Sequence, residues 1–112
     1  LSAAKAARSR LCAQFDAEFA SGVTVVASPA KEIDAETMKS LYDDPVDTRP
    51  GTIRIHNMTG APALTLPMGF GGLGVPVGIQ FAGRHWSEPL LYGVGAAFES
   101  ETHWVDHHPK ID

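Results

Sequence analysis

Ser28 and Lys31 stand in the spacing S-x-x-K, which on a helix sets a lysine amine beside a serine hydroxyl. Such a pair attacks a carbonyl only if the lysine is desolvated enough to act as a base and an oxyanion hole faces the same point. The companion S-D-N and K-T-G patterns are absent from the chain, so Ser28-Pro29 reads as the end of a strand in a proline turn, with Lys31 exposed. Gly69, Gly71 and Gly74 match the G-x-G-x-x-G spacing of a dinucleotide-binding turn. That chemistry needs the loop to open a helix, so that amide N–H groups and the helix dipole face a pyrophosphate. Here the loop leads into β-like Val75-Pro76-Val77, and the glycines read as a hairpin turn.

His103, His107 and His108, with Asp106, are the local group with metal-ligating chemistry. Nothing helical aims them, and they read as a solvated cluster in a tail. His56 and His85 are isolated in sequence and read as packed or hydrogen-bonded histidines. Asn57-Met58-Thr59 is formally a glycosylation acceptor without a secretory signal. A turn is the better reading, with Asn57 and Thr59 bonding nearby backbone and Gly60 at positive φ before Ala61-Pro62. Asp43-Asp44 lies beside Pro45 in a polar loop, and no G-x-S-x-G elbow occurs. The residues nominate no catalytic group, no cofactor and no metal site.

The elements that would position any site are nonetheless readable. Residues 2–20 are rich in helix formers, with Ser2 as the expected cap and Ala4, Ala7, Leu11, Phe15 and Phe19 as one apolar stripe; Ser21-Gly22 stops it. Val23 to Ala27 is a β-branched run suited to a strand covered on both faces, as in the parallel part of an α/β sheet. Residues 30–51 are polar and proline-bearing, with a short helix expected from about Ala35 to Leu41 capped by Asp34. Thr52 to Asn57 alternates as a strand does, over a length that decides little. Ala63–Pro67 and Val77–Ala82 predict an antiparallel hairpin around the glycine-rich stretch. Ser87 is the expected cap of a helix to about Ser100, with Trp86 and Leu91 at the spacing of a hydrophobic staple and Leu90, Leu91, Val94, Ala97 and Phe98 as the buried stripe. An irregular tail follows from His103.

Length and composition set bounds. The 112 residues make one domain at most, 44% hydrophobic and 20% charged, which is ordinary for a globular chain. A net charge of −4 with scattered basic residues argues against a nucleic-acid partner. Cys12 is the single cysteine, which excludes an intrachain disulfide and fits a reducing, cytoplasmic setting. No apolar run approaches the roughly 18 residues of a membrane span. The chain starts at Leu1, inside a helix-like pattern and without an initiator methionine, and reads as a piece of something longer.

The stretch from Asn57 to Phe70, NMTGAPALTLPMGF, resembles the Asn-x-x-Gly-x-Pro-Ala-x-x-x-Pro-x-Gly-Phe run of the amidase signature family. Leu73 to Gly83 continues it, close to the family's Gly-Leu-Pro-x-Gly-x-Gln-x-x-Gly, with Gly74-Val75 shifting the usual Gly-Leu-Pro. Glu88, Leu90 and Leu91 then fit its acidic helix start, Phe98-Glu99 its helix end, and Trp104 to Pro109 its tail. Ordered agreement over roughly fifty residues is far more specific than any short motif above. The first half agrees more loosely, through a charged helix, an apolar strand and Ser28-Pro29 where the family often has Thr-Pro. The Met-Tyr and Asp-x-Phe-Thr residues frequent in the family's tRNA-dependent amidotransferases are missing, which favours a free-standing amidase.

The resemblance implies an α/β class: part of an amidase-type α/β/α fold, a mixed sheet with an antiparallel hairpin near the C-terminus and flanking helices at 2–20 and 87–100. It implies hydrolysis of a carboxylic amide to acid plus ammonia or amine, by a serine activated through a second serine and a lysine. Those groups lie on a Gly/Ser-rich loop and a lysine upstream of the matched region, and no Gly-Gly-Ser-Ser-Gly-like stretch occurs here. No catalytic residue carries over. Residues 1–112 are therefore expected to be the C-terminal part of an amidase domain, inactive alone. Its implied partner is a small-molecule amide substrate in the parent enzyme, with neither nucleic acid nor membrane. Exposed sheet surface is a setting for self-association. Two other readings stand beside it, a free-standing scaffold or binding module and a residual enzyme using Ser28 and Lys31.

Overall fold

The computed structural model describes residues 1–30, 52–72 and 74–108. In chain order they form helix α1 (Ser2–Ala20), strand β1 (Val26–Pro29), helix α2 (Thr52–Thr59), strands β2 (Ala63–Phe70) and β3 (Pro76–Ala82), helix α3 (Glu88–Thr102) and a 3-10 turn over Trp104–Asp106. Helices flanking a sheet with an antiparallel hairpin is the α/β arrangement expected. The helix expected over 35–41 lies outside the described residues, as does Lys31.

The sheet order is β1-β3-β2, and both pairings are antiparallel. β1 therefore does not occupy the parallel position that its β-branched run suggested. It starts later, at Val26, and continues through Ser28 and Pro29, with Val26 opposite Ala82 and Ser28 opposite Gln80. A β-branched run shows that a segment suits a pleated surface without fixing the direction of its neighbour.

Two loop-end bonds set the phase of the ladders. Gly83 N–H donates to the Pro62 carbonyl at 3.2 Å, and Ala30 N–H to the Gly78 carbonyl at 2.8 Å. Leu64 and Leu66 thus turn their backbone polar groups to β3, while Ala63, Thr65 and Pro67 turn theirs away from it. Among the described strands that side of β2 is an open edge, where Pro67 has no N–H to leave unpaired. Met68 is the extra residue of a bulge between Pro67 and Gly69.

Helix α3 lies on one face of the hairpin. A Cβ at Gly95 would come within 2.5 Å of a Leu64 methyl and 3.3 Å of one on Leu66, so the helix backbone itself touches the sheet. Phe98 meets Phe81 edge to face at 5.5 Å, and Leu91 is only 3% exposed. The buried stripe is narrower than expected: Leu91 and Gly95 are buried and Val94 and Phe98 half-buried, whereas Leu90 and Ala97 are exposed. The staple is not formed either, because Trp86 is 90% exposed. Ser87 donates both its N–H and its hydroxyl to the Arg84 carbonyl, closing a turn that holds Trp86 at φ 66° and aims it away from Leu91. The Ser87 hydroxyl consequently caps no helix N–H.

Helix α1 makes its main tertiary contact with α2 rather than covering the sheet. Arg8 Nε donates to the Met58 carbonyl at 2.6 Å, and Phe15 meets His56 edge to face at 5.8 Å. Of the expected stripe, Leu11, Phe15 and Phe19 are half-buried, while Ala4 and Ala7 are exposed. Leu1 occupies the cap position and Ser2 is already helical, so the expected serine cap is absent. Gly22 at φ 110° follows the helix end, as its sequence predicts. The ambiguous stretch from Thr52 is helical, with Asn57 inside α2 instead of in a turn. Thr59 and Gly60 behave as expected: the Thr59 hydroxyl donates to the Ile55 carbonyl and accepts from Ala61 N–H, and Gly60 sits at φ 77°.

Among the described residues the buried apolar side chains are Ala61, Phe81, Ala82 and Leu91, of which Phe81 and Leu91 lie in the helix–sheet seam. Leu91→Ala is expected to cost about 2–5 kcal/mol in urea denaturation, against about 1 kcal/mol for Leu91→Met. Equal costs for the two would show that Leu91 is not sealed in this seam.

Candidate functional site

Ser28, the sequence's candidate nucleophile, sits half-buried on β1 in register with Gln80 of β3, which in turn faces Thr65 of β2. These three form a polar row across the sheet. The row lies on the face opposite α3, because side chains alternate along a strand and Leu64, Leu66 and Phe81 take the helix side. Among the described residues no hydrogen bond links the Ser28 hydroxyl to a histidine or carboxylate. Without a neighbouring base a serine hydroxyl stays protonated and weakly nucleophilic. The Ser28–Lys31 reading turns on Lys31, which lies outside the described residues.

Gln80 is the feature of this row that sequence reasoning missed. It is 8% exposed, its Nε2 donates to Thr65 Oγ1 over a long 3.4 Å, and its Oε1 is buried with no partner. Alternation along β3 could have flagged it, since a glutamine on the central strand of a covered sheet needs partners for four hydrogen bonds.

The glycine loop is a hairpin connection, as read. Gly71 N–H donates to the Val75 carbonyl and Gly74 N–H to the Gly71 carbonyl, each at 2.9 Å. Those amides are spent inside the turn and point at no phosphate. Gly69 has a separate reason to be glycine: its φ is 136°, and a Cβ there would meet the Trp104 indole at 3.4 Å.

The tail is more ordered than its sequence suggested. Its 3-10 turn folds back on the hairpin, where Trp104 meets Phe70 at 6.1 Å and His107 at 5.1 Å, and His107 meets Phe70 at 6.0 Å. Phe70, Pro67 and Pro76 on the hairpin and Trp104, Val105 and His107 on the tail border a groove of about 380 Å³. Among the described residues its walls are aromatic and aliphatic and carry no serine, cysteine or carboxylate. His103 Nδ1 lies 3.8 Å from Asp106 Oδ2, both mostly exposed, so the pair is worth little even when the histidine is charged. His107 is engaged with the two rings, and no three metal-ligating side chains converge among the described residues. His85 is exposed on the turn after β3.

The fold moves the titration of His56. Burial against α1 lowers its pKa, and its Nδ1 has no hydrogen-bond partner. The unfolded chain, with a histidine value of about 6.5, therefore takes up a proton at a pH where the folded chain resists it. The contribution of neutral His56 is fully present above that value and declines as pH falls through it toward the lower folded pKa. Stability should drop on acidification through this window, and His56→Phe should flatten that part of the profile in thermal melts followed by circular dichroism. A second expectation concerns the tail. In a Trp86→Phe background, Gly69→Val should shift Trp104 emission to the red by expelling the indole into water, and an unchanged spectrum would refute the contact.

Comparison with known proteins matches residues 1–92 to the family model described as Amidase. The chain is 36% identical over 89 residues to the glutamyl-tRNA(Gln) amidotransferase A subunit from Bacillus cereus (strain AH187), covering 77% of this chain and 18% of that protein. It is 34% identical over 90 residues to the protein of the same name from Listeria monocytogenes serotype 4a (strain HCC23), covering 78% and 18%. It is 42% identical over 55 residues to that of Cyanothece sp. (strain PCC 7425 / ATCC 29141), covering 49% and 11%. All three carry the amidotransferase name from which the missing Met-Tyr and Asp-x-Phe-Thr residues pointed away. The chain spans less than a fifth of the length of these relatives. The family match ends at Tyr92, so the rest of α3 and the Trp104 turn lie outside it, although Phe98-Glu99 and the tail carried part of the sequence resemblance. On the match over residues 1–92, the chain belongs to the amidase family.

Proposed function

We propose that residues 1–112 are the C-terminal part of an amidase domain and that they serve amide hydrolysis as scaffold. In this reading the hairpin, α3 and the α1–α2 pair complete a larger α/β body, and a nucleophile elsewhere in that body cleaves a carboxylic amide to acid plus ammonia or amine. The observation that carries it is the pairing of a family match along most of this chain with a span of 18% of the relatives' length. Among the described residues the Ser28 hydroxyl bonds to no histidine or carboxylate, which adds weight, because acyl transfer needs an activated hydroxyl and donors aimed at the developing oxyanion.

The relatives' name is that of one component of a larger enzyme, and assembly with other polypeptides fits this chain on the same footing. Among the described residues no helix is long and apolar enough to cross a membrane. With the single thiol of Cys12, a cytoplasmic setting suits the reading. One observation favours a second reading, a scaffold that self-associates: the open edge of β2 offers unpaired backbone groups at Ala63 and Thr65.

The purified chain is expected to release no ammonia from simple aliphatic or aromatic amides and to take up no fluorophosphonate probe. Stoichiometric labelling that disappears in Ser28→Ala would overturn this and revive the residual-enzyme reading. Sedimentation velocity across a hundredfold concentration range tests the second reading. A species that grows with concentration and is suppressed by Thr65→Lys supports it, and a fixed monomer excludes it.

A further inference from the structure

We infer that the contact between α1 and α2 is an acid-sensitive latch: a proton taken up by His56 frees α1, which swings away about Gly22 while the hairpin and α3 stay folded. The latch concerns only how two helices of this chain hold each other and does not rest on the catalytic reading. His56 lies in that contact. Its ring meets Phe15 of α1 edge to face at 5.8 Å, and its Nδ1 is buried with no hydrogen-bond partner. In the neutral ring an unprotonated Nδ1 is an acceptor left unanswered. Once protonated it becomes a buried N–H sharing a positive charge with no acceptor bonded to it, which costs far more.

The other ties on α1 are slight. None of its residues is fully buried, and Leu11, Cys12, Phe15 and Phe19 are half-buried. The hydrogen bond from Arg8 Nε to the Met58 carbonyl joins it to α2. A helix of this length is marginal by itself in water, so α1 frays once it is released. The hinge lies at its C-terminal end. Gly22 sits at φ 110° with open space where a Cβ would stand, and residues 23–25 belong to no helix or strand before β1 begins. β1 is itself tied to β3 from Val26 onward, so α1 can leave without disturbing the sheet.

The charged groups around His56 form no ion pair with it among the described residues. On α1, Arg8 and the thiol of Cys12 lie on the Phe15 side, with Lys5 a turn before Arg8, while Asp16 and Glu18 are exposed. On α2, Arg54 has an interaction of its own. The turn after β3 reaches the end of α2 through exposed His85, whose ring is 3.9 Å from the place of a Cβ on Gly60. Burial lowers the His56 pKa, the direction that a latch closed by the neutral ring requires. With α1 released, the ring regains the ordinary histidine value of about 6.5. The latch is therefore closed above that value and opens progressively as pH falls below it.

Hydrogen exchange of the 112-residue chain, corrected for the intrinsic effect of pH on amide exchange, reads the latch and the sheet together. Between about pH 7.5 and about pH 5 the amides of α1 are expected to lose at least about threefold in protection. At about pH 5 those of β3 should stay at least about tenfold better protected than those of α1. His56→Phe and His56→Gln cannot titrate in this range, and in both the protection of α1 should be flat. A single protection factor shared by α1 and β3 in acid would show that the whole chain opens at once and would overturn the latch. So would an α1 already unprotected at neutral pH, or one whose protection rises in acid because Asp16 or Glu18 has paired with the charge. Loss that persists in the variants would assign the pH dependence to another group and overturn the role of His56. If neither variant keeps β3 protected, the wild-type profile still decides, because a decline centred above about pH 6.5 contradicts the sign of the latch.

Discussion

The closeness with which α3 approaches the hairpin governs much of this structure. Gly95 lets the helix backbone rest on Leu64 and Leu66, and the seam is then filled by Leu91 on one side and the Phe81–Phe98 pair on the other. A side chain at position 95 would overlap the end of the Leu64 side chain, which would have to turn aside and give up dispersion contacts in the seam. The Arg84–Ser87 turn is part of the same constraint. A Cβ at Gly83 would run into the Ser87 hydroxyl, so the turn can tighten enough to lay the helix back over β3 only because that position is bare.

The fold is consequently one-sided. One sheet face carries a helix in direct contact; the other holds short polar and small residues around a single buried amide. α1 and α2 form their own partnership through Arg8 to the Met58 carbonyl and through the Phe15–His56 contact. Gln80, on the central strand of the sheet, is left with one buried polar end unanswered.

Much of this was legible in the residues because the signals were local. The glycine-rich turn between two alternating runs, Gly22 after α1, Gly60 before Ala61-Pro62 and the helix that follows Ser87 all follow from short-range rules. Misreadings arose where distant contacts decide. Thr52 to Asn57 alternates like a strand, yet α1 gives it a helical partner. Trp86 and Leu91 have staple spacing, yet the turn sends the indole outward. β1 has the residues of a parallel strand, yet β3 receives it antiparallel. As for the site, the row Ser28–Gln80–Thr65 joins three strands from separate parts of the chain, and only pairing registers reveal it. The family resemblance was carried by Asn57 to Gly83, where turn chemistry and strand alternation constrain many residues in a fixed order.

Pro67 and the Met68 bulge set a limit on what the outer side of β2 can template. An added strand could bond to the N–H and C=O groups of Ala63 and Thr65, but at Pro67 the donor is missing and immediately afterwards the bulge changes the pleat. Growth along this margin is thereby held to a short, finite ladder. The same irregularity that aims Phe70 toward Trp104 thus also guards the chain against runaway cross-β stacking.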